Sequence, residues 1–161
     1  MVYVNGDILT PVPLEDKPTI VCHQVNCQGV MGSGLAKQVR EELPGVYEVY
    51  KEKCDAGFAR LGQVQVCSAI LTSGYLVANV FGQWGYGTEK RHTDYEALRN
   101  AFTYLAEAYS QYTIRIPYKM GCGLGGGDWE IVESIIKETL CDKGIEVEIW
   151  RCDSRSERKA D

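Results

Sequence analysis

Thr19-Ile20-Val21-Cys22-His23-Gln24-Val25-Asn26 leads within two residues into Gly29-Val30-Met31-Gly32-Ser33-Gly34-Leu35-Ala36. The first half reads as a strand. Ile20, Val21, Cys22 and Val25 are too continuously apolar for a strand with one wet face, which places it in the middle of a sheet. The second half is a glycine-bearing loop. Leu35, Ala36, Val39 and Leu43 then recur at helical spacing until Leu43-Pro44 breaks the helix, and a second short helix carries Val46, Tyr47, Tyr50 and Cys54. Strand, glycine loop and helix in that order are the unit of a layered α/β fold, whose ligands sit outside the carboxyl ends of the strands.

The rest of the chain extends the pattern. Val2 to Val4 is a short strand entering Gly6-Asp7-Ile8-Leu9, and Pro11, Pro13 and Pro18 make the following stretch a loop. Residues 62–70 and 75–81 read as strands joined by a turn at Thr72-Ser73-Gly74, followed by Gly82-Gln83-Trp84-Gly85-Tyr86-Gly87. Thr93-Asp94-Tyr95-Glu96 has the form of a capping box, and Leu98, Ala101, Phe102, Leu105 and Tyr109 line one face of the helix it opens. Thr113 to Pro117 is a strand. Asp128 is an N-cap, Val132, Ile135, Ile136 and Leu140 form an apolar stripe, and Ile145 to Trp150 is the last strand. The expected architecture is a three-layer α/β/α sandwich around a mixed, largely parallel sheet. One domain should occupy residues 1–152, with a polar tail over 153–161.

Composition agrees with one ordinary globular domain. The chain has 161 residues, 45% hydrophobic and 24% charged, with mean hydropathy -0.22. No apolar run reaches the length of a membrane span, and the first residues lack a secretory pattern, so a cytoplasmic monomer off the membrane is expected. Seven cysteines without a CxxC pair suit reduced thiols better than a disulfide framework or a zinc site, and no metal or cofactor is expected. A net charge of -5 argues against nonspecific nucleic-acid binding. It leaves room for a small anion held by backbone donors.

Such donors recur at Gly121-Cys122-Gly123-Leu124-Gly125-Gly126-Gly127, a second glycine loop between a strand and a helix. The helix opening at Asp128-Trp129 is expected to aim its unpaired N–H groups at the same spot. Gly121, Gly123 and Gly126 satisfy the GxGxxG spacing of a dinucleotide fold. That fingerprint belongs to an early βαβ unit, however, and only one strand follows here. The absence of Gly-Lys-Ser/Thr excludes a nucleoside triphosphatase P-loop.

Taken together, Gly6-Asp7-Ile8, then Val25-Asn26-Cys27 with Gly29 to Ala36, then Gly121 to Trp129, match in order and spacing and resemble the macrodomain family of ADP-ribose-binding modules. The resemblance covers about Val2 to Trp150. It implies that Gly6, Asp7 and Ile8 lie at the adenine end, with the Asp7 carboxylate accepting from the adenine amino group. It also implies that Val25, Gly29, Met31, Gly32, Ser33, Gly34, Leu35 and Ala36 meet the diphosphate from one side and Gly121, Cys122, Gly123, Leu124, Gly125, Gly126 and Gly127 from the other. Asn26, Gln83 and Trp84 would then attend the distal ribose. For Asn26 a turn or cap role is the competing reading, and for Asp7 an Asx turn.

Activity is less legible. The family includes passive readers, ADP-ribose-1''-phosphate phosphatases and hydrolases that remove ADP-ribose from macromolecules. His23-Gln24-Val25-Asn26-Cys27 most resembles the branch holding the phosphatases and the glutamate-linkage hydrolases. Those hydrolases place a lysine and an acid where this chain has Gly82-Gln83 and Gly125, so a lysine-based covalent route is disfavoured. The resemblance makes His23 the candidate acid/base or water-orienting group, although strand alternation sets His23 and Asn26 on opposite faces. Asp128 is the other candidate to orient water, with an N-cap role beside it. Lys90, Arg91 and His92 read as a solvated charge run. The expected function is hydrolysis of ADP-ribose-1''-phosphate to ADP-ribose and phosphate, with a non-catalytic reader of ADP-ribose or its esters as alternative. Removal of ADP-ribose from a macromolecular partner ranks third.

Overall fold

Every residue of Thr19–Val25 is buried, as only a strand covered on both faces can be. The computed structural model describes residues 1–87 and 89–152. The tail expected over 153–161 lies outside the described residues. The elements run β1 (Val2–Asn5), β2 (Thr19–Val25), α1 (Gly34–Glu42), α2 (Pro44–Asp55), β3 (Val64–Ala69), α3 (Ile70–Ser73), β4 (Tyr75–Phe81), α4 (Tyr95–Ala108), β5 (Thr113–Pro117), α5 (Trp129–Thr139) and β6 (Glu146–Arg151), with a 3-10 turn at Cys141–Lys143 before β6.

The strands form one sheet in the order β1-β6-β5-β2-β4-β3. All neighbours are parallel except β3, which runs antiparallel to β4 at the edge. This is the mixed, largely parallel sheet expected, with helices on both faces. Alternate residues of β2 enter different cores. Cys22 joins Phe102, Leu105, Val132 and Ile136 under α4 and α5. Val21 joins Leu35, Val39 and Val46 under α1 and α2. Each large apolar side chain so buried contributes roughly 1.5–3 kcal/mol against exposure.

Two local details differ from the sequence reading. The turn before β4 is wound into α3, a single helical turn closed by Gly74 at φ 78°, where a Cβ would lie 1.9 Å from the Val12 carbonyl oxygen. The N-cap of α4 is Asp94, whose carboxylate accepts from Ala97 N at 3.0 Å, one residue later than the capping-box pattern implied. Thr93 is thereby released from capping and points inward.

Candidate ligand site

β2 and β5 are neighbours in the sheet, yet the chain leaves β2 for α1 on one face and β5 for α5 on the other. Such a divergence opens a crevice at the carboxyl ends of the two strands. The two glycine loops are its lips.

The first lip is built on Asn26. Its Oδ1 accepts from Gln28 N at 2.9 Å, Val30 N at 3.3 Å and the buried Tyr50 hydroxyl at 2.8 Å, while its Nδ2 donates to the Val30 carbonyl at 2.8 Å. The carboxamide therefore shapes the loop, the turn role that competed with the ribose reading. Val25, Met31, Leu35 and Ala36 turn their side chains into the core and leave only backbone to the crevice. Beyond them α1 begins. The N–H groups of Gly34, Leu35 and Ala36 have no partner within the helix, as in any first turn. Ser33 stands at the N-cap with extended backbone, but its hydroxyl makes no capping bond. The positive end of α1 is thus left open.

The second lip is more closed. Cys122 N donates to Lys119 O at 2.9 Å, Gly126 N to Gly123 O at 3.1 Å and Gly127 N to Gly121 O at 2.8 Å. Asp128 N donates to the Tyr95 hydroxyl at 2.9 Å. Gly123, Leu124 and Gly125 hold the loop's N–H groups outside this network. The Asp128 carboxylate caps α5 by accepting from Glu130 N at 2.9 Å, so α5 carries a side-chain acceptor at its first turn where α1 carries none. A carboxylate occupies its positive end, and α1 is the open one. Burial pushes the Cys122 thiol up to about 11, so it holds its proton at neutral pH.

The remaining candidates separate cleanly. Asp7 is exposed beside the carboxyl end of β1. Its Oδ1 accepts from Leu9 N at 2.9 Å in an Asx turn, and Gln38 Nε2 lies 3.4 Å from both carboxylate oxygens. Gly6 N donates to Arg151 O at 2.8 Å, and Ile8 is buried behind the loop. Gln83 is buried, accepting from Gln24 and donating to Gly85 O at 2.7 Å, so its carboxamide is committed inside the protein. Trp84 and Tyr86 are 55% and 56% exposed, and the Trp84 carbonyl accepts from Cys27 N at 3.1 Å, which seats this aromatic segment against the first lip. Arg91 stacks 4.4 Å from the Tyr95 ring and His92 is mostly buried with Nε2 3.5 Å from Glu89, so the presumed charge run is only partly solvated.

His23 is corrected outright. The imidazole is 1% exposed, its Nε2 sits 2.5 Å from Asn79 Oδ1, and burial pulls its pKa down to about 4. A sealed ring whose Nε2 is engaged by Asn79 is not placed to pass a proton to a leaving group in the crevice. Among the described residues, no group of three or more His, Cys, Asp or Glu is placed to hold a metal ion.

Residues that carry the site but were not singled out are Gln24, Thr93, Tyr95 and Arg115. The signal available for Gln24 was a second polar residue beside His23 in a mostly apolar central strand. For the other three, partners more than 20 residues away supply the meaning.

A mixed six-stranded sheet between helical layers, with two glycine lips at diverging strands, is the arrangement expected of a macrodomain. The Macro domain family model matches residues 22–136, and the chain belongs to that family. It is 31% identical over 140 residues to an uncharacterized 17.5 kDa protein from the tk-vs intergenic region of enterobacteria phage T4, covering 83% of this chain and 86% of the phage protein. It is 28% identical over 152 residues to a DNA ADP-ribosyl glycohydrolase of Thermus aquaticus, covering 92% of this chain but only 39% of that protein. A segment of 53 residues, 32% of this chain and 31% of the relative, is 36% identical to an ADP-ribose 1''-phosphate phosphatase of Scheffersomyces stipitis. Among solved structures, a macrodomain protein from Streptomyces coelicolor superposes with TM-score 0.75 at 28% identity, covering 92% of this chain and 97% of that one. Thermosipho africanus DarTG, in complex with ADP-ribose, shares the fold with TM-score 0.74 at 22% identity, covering 94% of this chain and 42% of that one.

Proposed function

We propose that the crevice binds ADP-ribose, with the diphosphate between the open N-terminus of α1 and the N–H groups of Gly123 to Gly125. The adenine lies at Asp7 and the distal ribose near Trp84. The observation that carries this reading is the uncapped first turn of α1, placed across adjacent strands from a second set of backbone donors. Neutral donors suit an anion in a chain of net charge -5. The ADP-ribose complex of a protein with the same fold supports it.

Of the chemistries that the relatives carry, release of phosphate from ADP-ribose-1''-phosphate fits these residues better than cleavage of a macromolecular linkage. Gln83 is bonded internally and Gly125 has no side chain, so neither supplies the amine or acid that the glutamate-linkage hydrolases use. Phosphate leaves as an anion that needs little protonation, which relaxes the demand for a general acid. Water bonds to C1'' as the C1''–O bond to phosphate breaks; its hydroxyl stays on the ribose and its proton ends on the phosphate, so the products are ADP-ribose and inorganic phosphate. Asp128 accepts at Oδ1 from Glu130 and keeps Oδ2 for that water.

Calorimetry with ADP-ribose, ADP and NAD tests the binding site; a protein with no preference for ADP-ribose would refute it. Phosphate release from ADP-ribose-1''-phosphate then tests the reaction, and tight binding without turnover would leave a reader. Asp128→Asn retains the cap but removes the charge, and unchanged turnover in that variant would remove Asp128 from the mechanism.

A further inference from the structure

Gln24 lies two residues beyond Cys22, on the α4 and α5 side of β2, and is 4% exposed. A buried carboxamide is costly unless it is bonded. Gln24 Nε2 donates to Gln83 Oε1 at 2.7 Å and to Thr93 Oγ1 at 2.8 Å. The Thr93 hydroxyl accepts that bond and donates its own proton to the Gly121 carbonyl at 2.7 Å. The amides of His92 and Thr93 both donate to the Gly125 carbonyl, at 2.8 and 3.0 Å. Glycine is required around this junction for space. A Cβ on Gly82 would stand 2.5 Å from Gln24 Oε1, one on Gly121 2.7 Å from the same atom, and one on Gly125 2.4 Å from Thr93 Oγ1.

The end of β2, the segment after β4 and the second lip therefore meet at one side chain. A backbone loop attracts an anion only while its carbonyl oxygens, which carry negative partial charge, are engaged elsewhere. Thr93 and His92 engage two of them. We propose that Gln24 and Thr93 are positioning residues for the second glycine loop. Gln24 orients the Thr93 hydroxyl, which ties back the Gly121 carbonyl while the His92 and Thr93 amides hold that of Gly125, so that the loop meets the diphosphate with its donors. Gly121 and Gly125 then serve this latch, and their missing side chains are not explained by ligand approach alone. The inference rests on the ADP-ribose reading for its affinity readout but not for its structural one.

The test compares Thr93→Val, which keeps the shape without the hydroxyl, Thr93→Ser, which keeps the hydroxyl, Gln24→Met, and the double variant Gln24→Met/Thr93→Val. Amide hydrogen exchange of residues 121–127 is measured without ligand, and ADP-ribose affinity by calorimetry. Thr93→Val and Gln24→Met should speed exchange of the Gly126 and Gly127 amides and weaken ADP-ribose by about tenfold. Thr93→Ser should resemble the unmodified chain, and the amides of 26–36 should not change. The double variant should bind no more weakly than the worse single one, because both act through one chain of bonds. Unaltered loop exchange in Thr93→Val, additive losses in the double variant, or faster exchange spread evenly over the protein would each overturn the proposal. Should the unmodified protein not bind ADP-ribose, that reading fails while the exchange data still decide the latch.

Discussion

His23 Nε2 lies 2.5 Å from Asn79 Oδ1, the two residues standing in register on β2 and β4. Asn79 Nδ2 donates to Gln65 Oε1 at 3.0 Å, which fixes Oδ1 as the acceptor and His23 Nε2 as the donor. Nδ1 is buried without a hydrogen-bond partner among the described residues. Burial disfavours the imidazolium, so the folded pKa falls to about 4 from an ordinary 6.5. As pH drops, the unfolded chain takes the proton first, and stability declines between about 6.5 and about 4. The full loss is on the order of 3 kcal/mol. Urea unfolding from pH 7.5 to 4.5 should show this slope, and His23→Gln should flatten it. An equal slope in the variant would mean that another group titrates.

Arg115 holds the loop behind Asp7, the end of the crevice proposed for adenine. Its Nη1 donates to the carbonyls of Ile8 at 2.9 Å and Thr10 at 2.8 Å, and its guanidinium lies 4.2 Å from the Trp150 ring centroid. Arg115→Met keeps the stem but strands these carbonyls, with a cost of about 2–4 kcal/mol in unfolding free energy. On the proposed reading it should also abolish the preference for ADP-ribose over its hypoxanthine analogue, because Asp7 loses its fixed position as the proposed acceptor for the 6-amino group. Arg115→Lys should not restore that preference, since its ammonium sits one bond short of Nη1 and lacks the flat face that stacks on Trp150. A variant that is less stable yet equally selective would confine Arg115 to folding.

The layers were legible because they depend on local pattern. The apolar run at Ile20 to Val25 and the helical spacing of Leu98 to Tyr109 each report one neighbourhood of chain, and both stand as read. The site was legible only as backbone. Glycine clusters announce where main chain is exposed, but Asn26, Gln83 and His23 are chemically suited both to ligand contact and to internal bonding. Tyr50, Gln24 and Asn79, each distant in sequence from the residue it bonds, are the groups that decide which. Asp128 illustrates the same limit: capping could be read from position, but the contrast with an uncapped α1 appears only in the folded chain.

Glycines of the two lips should respond differently to a methyl group. A Cβ on Gly32 meets only Val30 Cγ1, at 3.5 Å, whereas one on Gly125 would be 2.4 Å from Thr93 Oγ1 and 2.7 Å from Gly121 O. Gly125→Ala should lower unfolding free energy by about 1–3 kcal/mol through overpacking. Gly32→Ala should change it by less than about 1 kcal/mol while weakening ADP-ribose. Thermal unfolding with and without ADP-ribose separates the two effects. A Gly32→Ala protein with full ligand-induced stabilisation would place the diphosphate away from this residue.

Ser33 offers the sharpest test of where the anion sits. It occupies the N-cap of α1 without making a capping bond, so Ser33→Asp supplies both the missing acceptor and a negative charge beside the helix dipole. The unliganded protein should gain about 1 kcal/mol. ADP-ribose, whose diphosphate would meet that carboxylate, should bind about tenfold more weakly or worse, with the loss easing as salt screens the repulsion. Ser33→Asn caps without charge, so it should gain similar stability and lose less affinity. Opposite signs for stability and binding in Ser33→Asp, measured by denaturation and calorimetry on the same sample, are what an anion at the open end of α1 requires. Equal affinity in Ser33→Asp and the unmodified chain would exclude that position.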